Sequence, residues 1–212
     1  GLKDGMTLST HHHLRDGDLM AQALFEAARK LGVRDLVWFP SAAFPCHEAL
    51  IPFLEDGTIA RIEGSMNGAL GRFCTEGRMR GTAMLRSHGG RVAAIQNGEV
   101  RIDIALIAAP SADAFGNAHG LSGPSACGGL GYALPDSQYA DKVIVVTDHL
   151  VPFPCLPMQI EGNRVDCVVV VDRIGVAEKI VSGTTRITSS PDRLLIADLT
   201  ARFCQEAGLL FD

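Results

Sequence analysis

Short runs of apolar and β-branched residues punctuate the chain at Thr7–Thr10, Leu36–Phe39, Ile59–Glu63, Thr82–Arg86, Ile102–Ala109, Val143–Thr147 and Cys167–Val171, and each reads as a strand. The last three are continuously apolar rather than alternating, the pattern of strands covered on both faces. Between the first two runs, Leu19, Met20, Ala23, Leu24, Ala27, Ala28 and Leu31 recur at spacings of mostly three and four residues. Asp16 and Asp18 precede them and Gly32 follows, which predicts a capped amphipathic helix. Near the end, Ser190-Pro191 supplies an N-cap and a first-turn proline, Leu195, Leu199 and Phe203 form a stripe, and Gly208 marks a stop. Strands alternating with helices predict an α/β fold, a mostly parallel sheet with helices on both faces whose ligand crevice lies beyond the carboxyl ends of the strands. No repeat, low-complexity tract or charge block interrupts the pattern, so one domain over 1–212 is expected.

Composition narrows the class. At 47% hydrophobic and 20% charged residues the chain is neither disordered, collagen-like nor coiled-coil. No apolar run approaches the roughly 20 residues of a spanning helix, and GLKDGMTLST has no basic region followed by an apolar core, so a soluble, cytoplasmic protein is expected. A net charge of −5 argues against nucleic acid as a partner. The six cysteines contain no C-x-x-C pair, and Cys167 lies inside VDCVVVVD; they read as buried, reduced thiols.

Three segments could carry chemistry. In the first, His11-His12-His13-Leu14-Arg15 joins the first strand to the first helix. Alternation would turn His11 and His13 to one side and His12 to the other. Beside helix N–H groups, and with the fixed charge of Arg15, they could form a pocket for carboxylates or a thioester carbonyl. A mobile surface cluster, a tag remnant and a metal site are the competing readings, the last weakened by the lack of carboxylate or cysteine at zinc spacings. In the second, Arg86-Ser87-His88-Gly89-Gly90-Arg91 packs cations around a glycine pair and suits an anion; a hairpin turn with solvated arginines explains it equally well. In the third, Ile102–Gly120, a buried strand and tight turn deliver Asn117 and His119 to the strand's carboxyl end. Gly128-Gly129-Leu130-Gly131 fails as a dinucleotide fingerprint because a loop, not a strand, precedes it. Gly64–Gly68 fails as a nucleophile elbow. No Walker A motif occurs.

IDIALIAAPSADAFGNAHG at 102–120 resembles the coenzyme A transferases. The chain most closely resembles the amino-terminal half of the citrate lyase α-subunit family, through DGMTLSTHHHLRDGD at 4–18, RSHGGR at 86–91, SACGGLGYALPDSQYADKVIVVTDHLVPFP at 125–154, VDCVVVVD at 165–172 and IVSGTTRITSSPDRLLIA at 180–197. The resemblance implies a CoA-transferase α-type, Rossmann-like domain. It also implies an exchange without ATP, in which the acetyl group of an acyl-carrier thioester, or of CoA, is replaced by citrate through a mixed anhydride, giving citryl thioester and acetate. Such an enzyme demands a tricarboxylate anchor, a thioester held within attack distance and preorganised oxyanion donors.

By position, the resemblance makes His11, His12 and His13 the catalytic candidates, Arg15, Arg86, His88 and Arg186 the substrate anchors, and Gly89, Gly90, Asn117 and Ser122 the lining of a pantetheine channel. No metal and no tightly bound cofactor are expected. The thiol belongs to a phosphoribosyl-dephospho-CoA group on the carrier. The implied partners are the acyl-carrier (gamma) and lyase (beta) subunits in an oligomer, without nucleic acid or membrane. Family α chains continue beyond the equivalent of Asp212 into a β-type half, which classical transferases use to supply a catalytic glutamate, so activity is expected to need that half; no glutamate here, Glu63 included, has the context of a nucleophile. A non-catalytic carrier- or CoA-binding scaffold is the main alternative. A sugar-phosphate isomerase or hydrolase on a related fold would need paired acids, which the sequence does not offer.

Overall fold

The computed structural model describes residues 1–181 and 188–209. The single domain expected over 1–212 divides into two compact units, Gly1–Val181 and Ser182–Asp212. In the first unit lie β1 (Thr7–Thr10), β2 (Leu36–Pro40), β3 (Ile59–Ile62), β4 (Ile104–Ala108), β5 (Ser111–Ala112), β6 (Ala118–His119), β7 (Lys142–Thr147) and β8 (Cys167–Val170). Six of these form one sheet in the order β3-β2-β1-β4-β7-β8, every pairing parallel, while β5 and β6 form a small antiparallel ribbon.

The side-chain period of two sends alternate residues into different cores. On one face Leu8, Leu36 and Trp38 pack with Phe25 and Ala28 of α1 (Met20–Lys30), with Phe53 and Leu54 of α2 (Ile51–Glu55), and with Leu70 and Phe73 of α3 (Gly68–Thr75). On the other, Phe39 and Ala105 meet Ile95 of α4 (His88–Gln96), and Ile107, Val143 and Val145 meet Ala133 of α5 (Ala133–Tyr139). Helices therefore cover both faces, and the α/β architecture is the one the pattern predicts. At the start of α1 the Asp18 carboxylate accepts the Met20 and Ala21 N–H groups, and Gly32 ends the helix at φ +73°.

Two strand expectations need correction. Thr82–Arg86 is not a strand; it makes one isolated bridge, Met84 to Glu63, the residue just after β3. Its apolar Met84 and Leu85 are both exposed, so the segment has no buried face to hold a register. β8 is not covered on both faces: it is the sheet edge, paired to β7 alone, and Cys167, Val169 and Val170 are exposed. Cys167 is thus no buried thiol, and among the six free cysteines Cys155 alone is fully buried.

The second unit contains α6 (Pro191–Glu206), opened by its first-turn proline and followed by Gly208 at φ +67°. Its Leu195, Leu199 and Phe203 stripe is exposed, and among the described residues Ser190 makes no side-chain capping bond. No described helix is long and apolar enough to cross a membrane.

Candidate functional site

The strand order reverses between β1 and β4, since the chain runs from β1 outward to β2 and β3 and from β4 outward to β7 and β8. In open α/β sheets such a reversal leaves a crevice beyond the carboxyl ends of the two central strands. A cavity of about 190 Å³ lies there, walled by His11, His12, His13 and Arg15 on one side and by Cys127 and Gly129–Tyr132 on the other, with Ser41 between. This is smaller than the ~300 Å³ at which drug-sized sites begin, and suits a small metabolite.

β1 ends at Thr10, and His12–Gly17 forms a kinked 3-10 segment. The kink sits at Arg15, a non-glycine residue at φ +56°, ψ −136°. A backbone in that region costs about 1–3 kcal/mol and persists where surrounding structure imposes it. Arg15 lines the cavity and has no carboxylate within salt-bridge distance among the described residues. The helix N–H groups expected to help hold an anion are not free, because Asp18 already accepts those of Met20 and Ala21.

The three histidines turn in different directions, although not as strand residues. The rings of His11 and His13 stack at 5.9 Å, whereas His12 lies against Phe44, His88 and Tyr132 at ring separations of 6.0, 5.8 and 5.3 Å. Ser41 Oγ accepts the His12 backbone N–H at 3.0 Å and lies 2.6 Å from His12 Nδ1; donation of its own proton to Nδ1 leaves Nε2–H as the free donor of His12. His13 Nε2–H donates to the Ala108 carbonyl at 2.6 Å. Burial pushes both imidazoles down to about 4, helped by Arg15 for His12 and by His11 for His13. At neutral pH the cavity therefore contains the fixed positive charge of Arg15 beside the neutral imidazoles of His12 and His13, and no carboxylate is among its lining residues.

Behind His11 lies a buried ionic cluster. Arg91 of α4, 1% exposed, donates from Nη1 and Nη2 to the two oxygens of Asp136 on α5, each at 2.7 Å, and from Nη2 to Ser9 Oγ at 3.1 Å and the Phe39 carbonyl at 3.2 Å. Its guanidinium stacks 4.4 Å from the Phe39 ring centroid. Asp136 Oδ2 also accepts from Ser9 Oγ and from His11 Nε2, the latter at 2.9 Å. Burial alone would raise the Asp136 carboxyl, but His11 and Arg91 outweigh it and hold the group well below the usual carboxylate range.

The structure gathers some of the expected site residues and separates others. His11, His12, His13 and Arg15 share the cavity, and His88 stands beside it, its ring 5.0 Å from that of Tyr132. Arg86 does not line it; its guanidinium faces Glu63 at 3.6 Å and Glu99 at 3.4 Å. RSHGGR is neither a hairpin nor a phosphate loop but the opening of α4: Ser87 Oγ accepts the Gly90 N–H, and Gly89 and Gly90 sit in the first turn. Asn117 serves the loop after β5, donating to Asp113 at 2.8 Å and accepting the Gly162 N–H at 2.9 Å, and Ser122 pairs with Ser111. None of Gly89, Gly90, Asn117 or Ser122 lines the cavity. Arg186 lies outside the described residues. Among the described residues no group of three or more His, Cys, Asp or Glu could hold a metal ion. Sequence reasoning read Arg91 as a cation for an anionic ligand and missed that its partner is Asp136, 45 positions on, and it set aside the glycine segment 128–131, of which Gly129, Leu130 and Gly131 in fact wall the site.

The family model described as citrate lyase, alpha subunit, matches residues 1–212. The citrate lyase alpha chain of Escherichia coli K12 is 41% identical over 209 residues, covering 98% of this chain and 41% of the relative, and that of Haemophilus influenzae is 37% identical over 213 residues, covering 100% and 43%. The chain thus spans about two fifths of the length of these relatives. Among solved structures, a Streptococcus mutans protein assigned as the alpha subunit of citrate lyase, in complex with citrate, superposes with a TM-score of 0.88 at 45% identity over 94% of this chain and 39% of that one. Glutaconate coenzyme A-transferase from Acidaminococcus fermentans shares the fold, with a TM-score of 0.56 at 17% identity over 80% of this chain and 71% of that one.

Proposed function

Because the chain belongs to the citrate lyase alpha subunit family, we propose that the cavity between β1 and β4 is the citrate-binding part of a citrate CoA-transferase. The observation that carries this reading is the chemistry of that cavity: an arginine without a carboxylate partner among the described residues, three imidazoles and no acidic residue in the lining, at the reversal point of the sheet. Such a lining favours a small polycarboxylate, and the citrate bound to the Streptococcus mutans relative supports it.

In the reaction, the acetyl group of an acyl-carrier thioester, or of acetyl-CoA in its place, is exchanged for citrate, giving citryl thioester and acetate. The residues of this chain bind and orient the incoming acid. Arg15 supplies a two-pronged cation for one carboxylate. His12 offers Nε2–H as a neutral donor, and a carboxylate docked against it stabilises the charged form of the imidazole, raising the depressed pKa as binding proceeds. The cavity of about 190 Å³ takes the acid, and the thioester arm enters as a substrate carried by its own subunit. The partners are the acyl-carrier and lyase subunits.

Calorimetric titration of the chain with citrate tests the binding step. Saturable one-to-one binding that is strongly weakened in Arg15→Ala is expected; heats of dilution alone would remove the basis for the assignment. Citrate-dependent release of acetate from acetyl-CoA in the assembled enzyme tests the exchange.

A further inference from the structure

A strained residue persists only where its neighbours hold it, and Arg15 is held through the peptide that follows it. Its ψ of −136° sets the plane of the Arg15–Asp16 peptide. The Arg15 carbonyl and the Asp16 side chain are both taken by Cys46, in the 3-10 segment Pro45–Leu50 that follows β2. The Cys46 thiol donates to the Arg15 carbonyl at 3.6 Å, and the Cys46 N–H donates to Asp16 Oδ1 at 2.7 Å. Burial, with the nearby carboxylates of Asp18 and Asp16, pushes the thiol up to about 12, so it keeps its hydrogen and stays a donor. Flanking contacts fix the rest of the strap. The Phe44 ring lies against His12, and His47, whose Nδ1 accepts the Phe44 N–H, donates from Nε2 to Asp18 at 3.0 Å. From the other side the Gly17 carbonyl accepts the Val176 N–H at 2.9 Å.

We propose that Asp16 and Cys46 are positioning residues for the substrate acid: together they lock Arg15 in its strained conformation and so keep it in the cavity wall, although neither of them lines the cavity. The inference rests on the reading of the cavity as the citrate site. Released from Cys46, the peptide is free to turn, and Arg15 relaxes into an ordinary backbone region that carries its side chain elsewhere. The two roles open to Asp16 predict opposite effects. As a charge, a carboxylate one residue from Arg15 repels an anionic acid, and its removal strengthens binding. As the anchor of Cys46 it supports the cation's position, and its removal weakens binding. Asparagine separates the two, because its side-chain oxygen still accepts the Cys46 N–H while the charge is gone.

Calorimetric titration of the whole chain with citrate tests this. Asp16→Ala is expected to bind citrate about threefold or more weakly, and Asp16→Asn to bind within about twofold of the wild type or more tightly. Cys46→Ala is expected to weaken binding, and Cys46→Ser, whose hydroxyl can donate to the same carbonyl, to restore it. In an Arg15→Ala chain, Asp16→Ala should lower the affinity no further, an outcome that general damage to the fold does not produce. In the assembled enzyme, Asp16→Ala should raise the KM for citrate and leave that for acetyl-CoA unchanged. Unchanged or tighter citrate binding by Asp16→Ala overturns the proposal, as does equal weakening by Asp16→Ala and Asp16→Asn, or a loss of the same size with and without Arg15. If Asp16→Ala does not fold, the Cys46 variants decide: the proposal falls if alanine and serine there bind citrate alike. A wild-type chain that does not bind citrate would end the cavity assignment itself and this inference with it, a result distinct from a wild type that binds and variants that match it.

Discussion

At the scale of single residues, two arginines that look alike in the sequence have opposite surroundings. Arg86 is drawn toward the buried Glu63 and the exposed Glu99, whereas Arg15 lines the cavity and has no carboxylate partner among the described residues. Arg15→Ala is therefore expected to weaken citrate binding by about tenfold or more, the loss of one charge-assisted contact, and Arg86→Ala to change it less than about twofold. Calorimetric affinities for the two variants check this; comparable losses would return Arg86 to the site. The strained backbone adds a second signature. Glycine adopts φ +56° freely, so Arg15→Gly should melt above Arg15→Ala while binding citrate as poorly. Function and stability then separate at one position, as expected where strain is kept for a purpose.

At the scale of elements, the wall opposite the histidines depends on one close approach. Gly120 accepts the N–H groups of Cys127 and Gly128 at 2.9 and 3.0 Å, and Gln159 Oε1 accepts those of Gly120 and Leu130, tying the 127–132 wall to the β6 turn. A Cβ on Gly120 would collide with the Gly128 carbonyl, which is backbone and cannot turn aside. Gly120→Ala should displace this wall and abolish detectable citrate binding while leaving the far-UV circular dichroism of the sheet intact; unchanged affinity would show that the wall does not shape the site. The inner strands and the first helix were legible in the sequence because burial writes itself as apolar runs and a period near 3.6, whereas the apolar run of β8 belongs to an exposed sheet edge and Thr82–Arg86 forms no strand. This wall was not legible, since it is held by backbone contacts between Gly120 and Gly128, and glycine text alone suggested a nucleotide loop. The Arg91–Asp136 pair escaped for a similar reason: residues on α4 and α5 are joined by packing across one face of the sheet, and nothing local in either helix announces it.

At the scale of the molecule, the site sits where β2, β1 and β4 deliver their carboxyl ends, so its protonation state is coupled to folding. The order β3-β2-β1-β4 puts the histidine segment after β1 in contact with Ser41 after β2 and Ala108 at the end of β4. His12 and His13 titrate near 4 in the fold, against about 6.5 in an unfolded chain. Between these values the unfolded state binds more protons than the native one, and stability must therefore rise with pH across that window. Put as a loss, the stabilisation is complete above about pH 6.5 and declines as pH falls toward 4. The lowered carboxyls of Asp56, Asp113, Asp136 and Asp166 do not mimic this, because their contribution is lost only below the ordinary carboxylate range near 4. Urea midpoints measured from pH 7 to pH 4.5 should fall steadily in the wild type, and the slope should flatten in a His12→Gln/His13→Gln double variant whatever its absolute stability. An undiminished slope in that variant would mean that the acid sensitivity comes from elsewhere in the chain. Citrate should act against the decline, since a carboxylate docked at His12 raises the native-state proton affinity that burial lowers. The midpoint lost between pH 6.5 and 5 is then expected to be smaller in saturating citrate than in its absence.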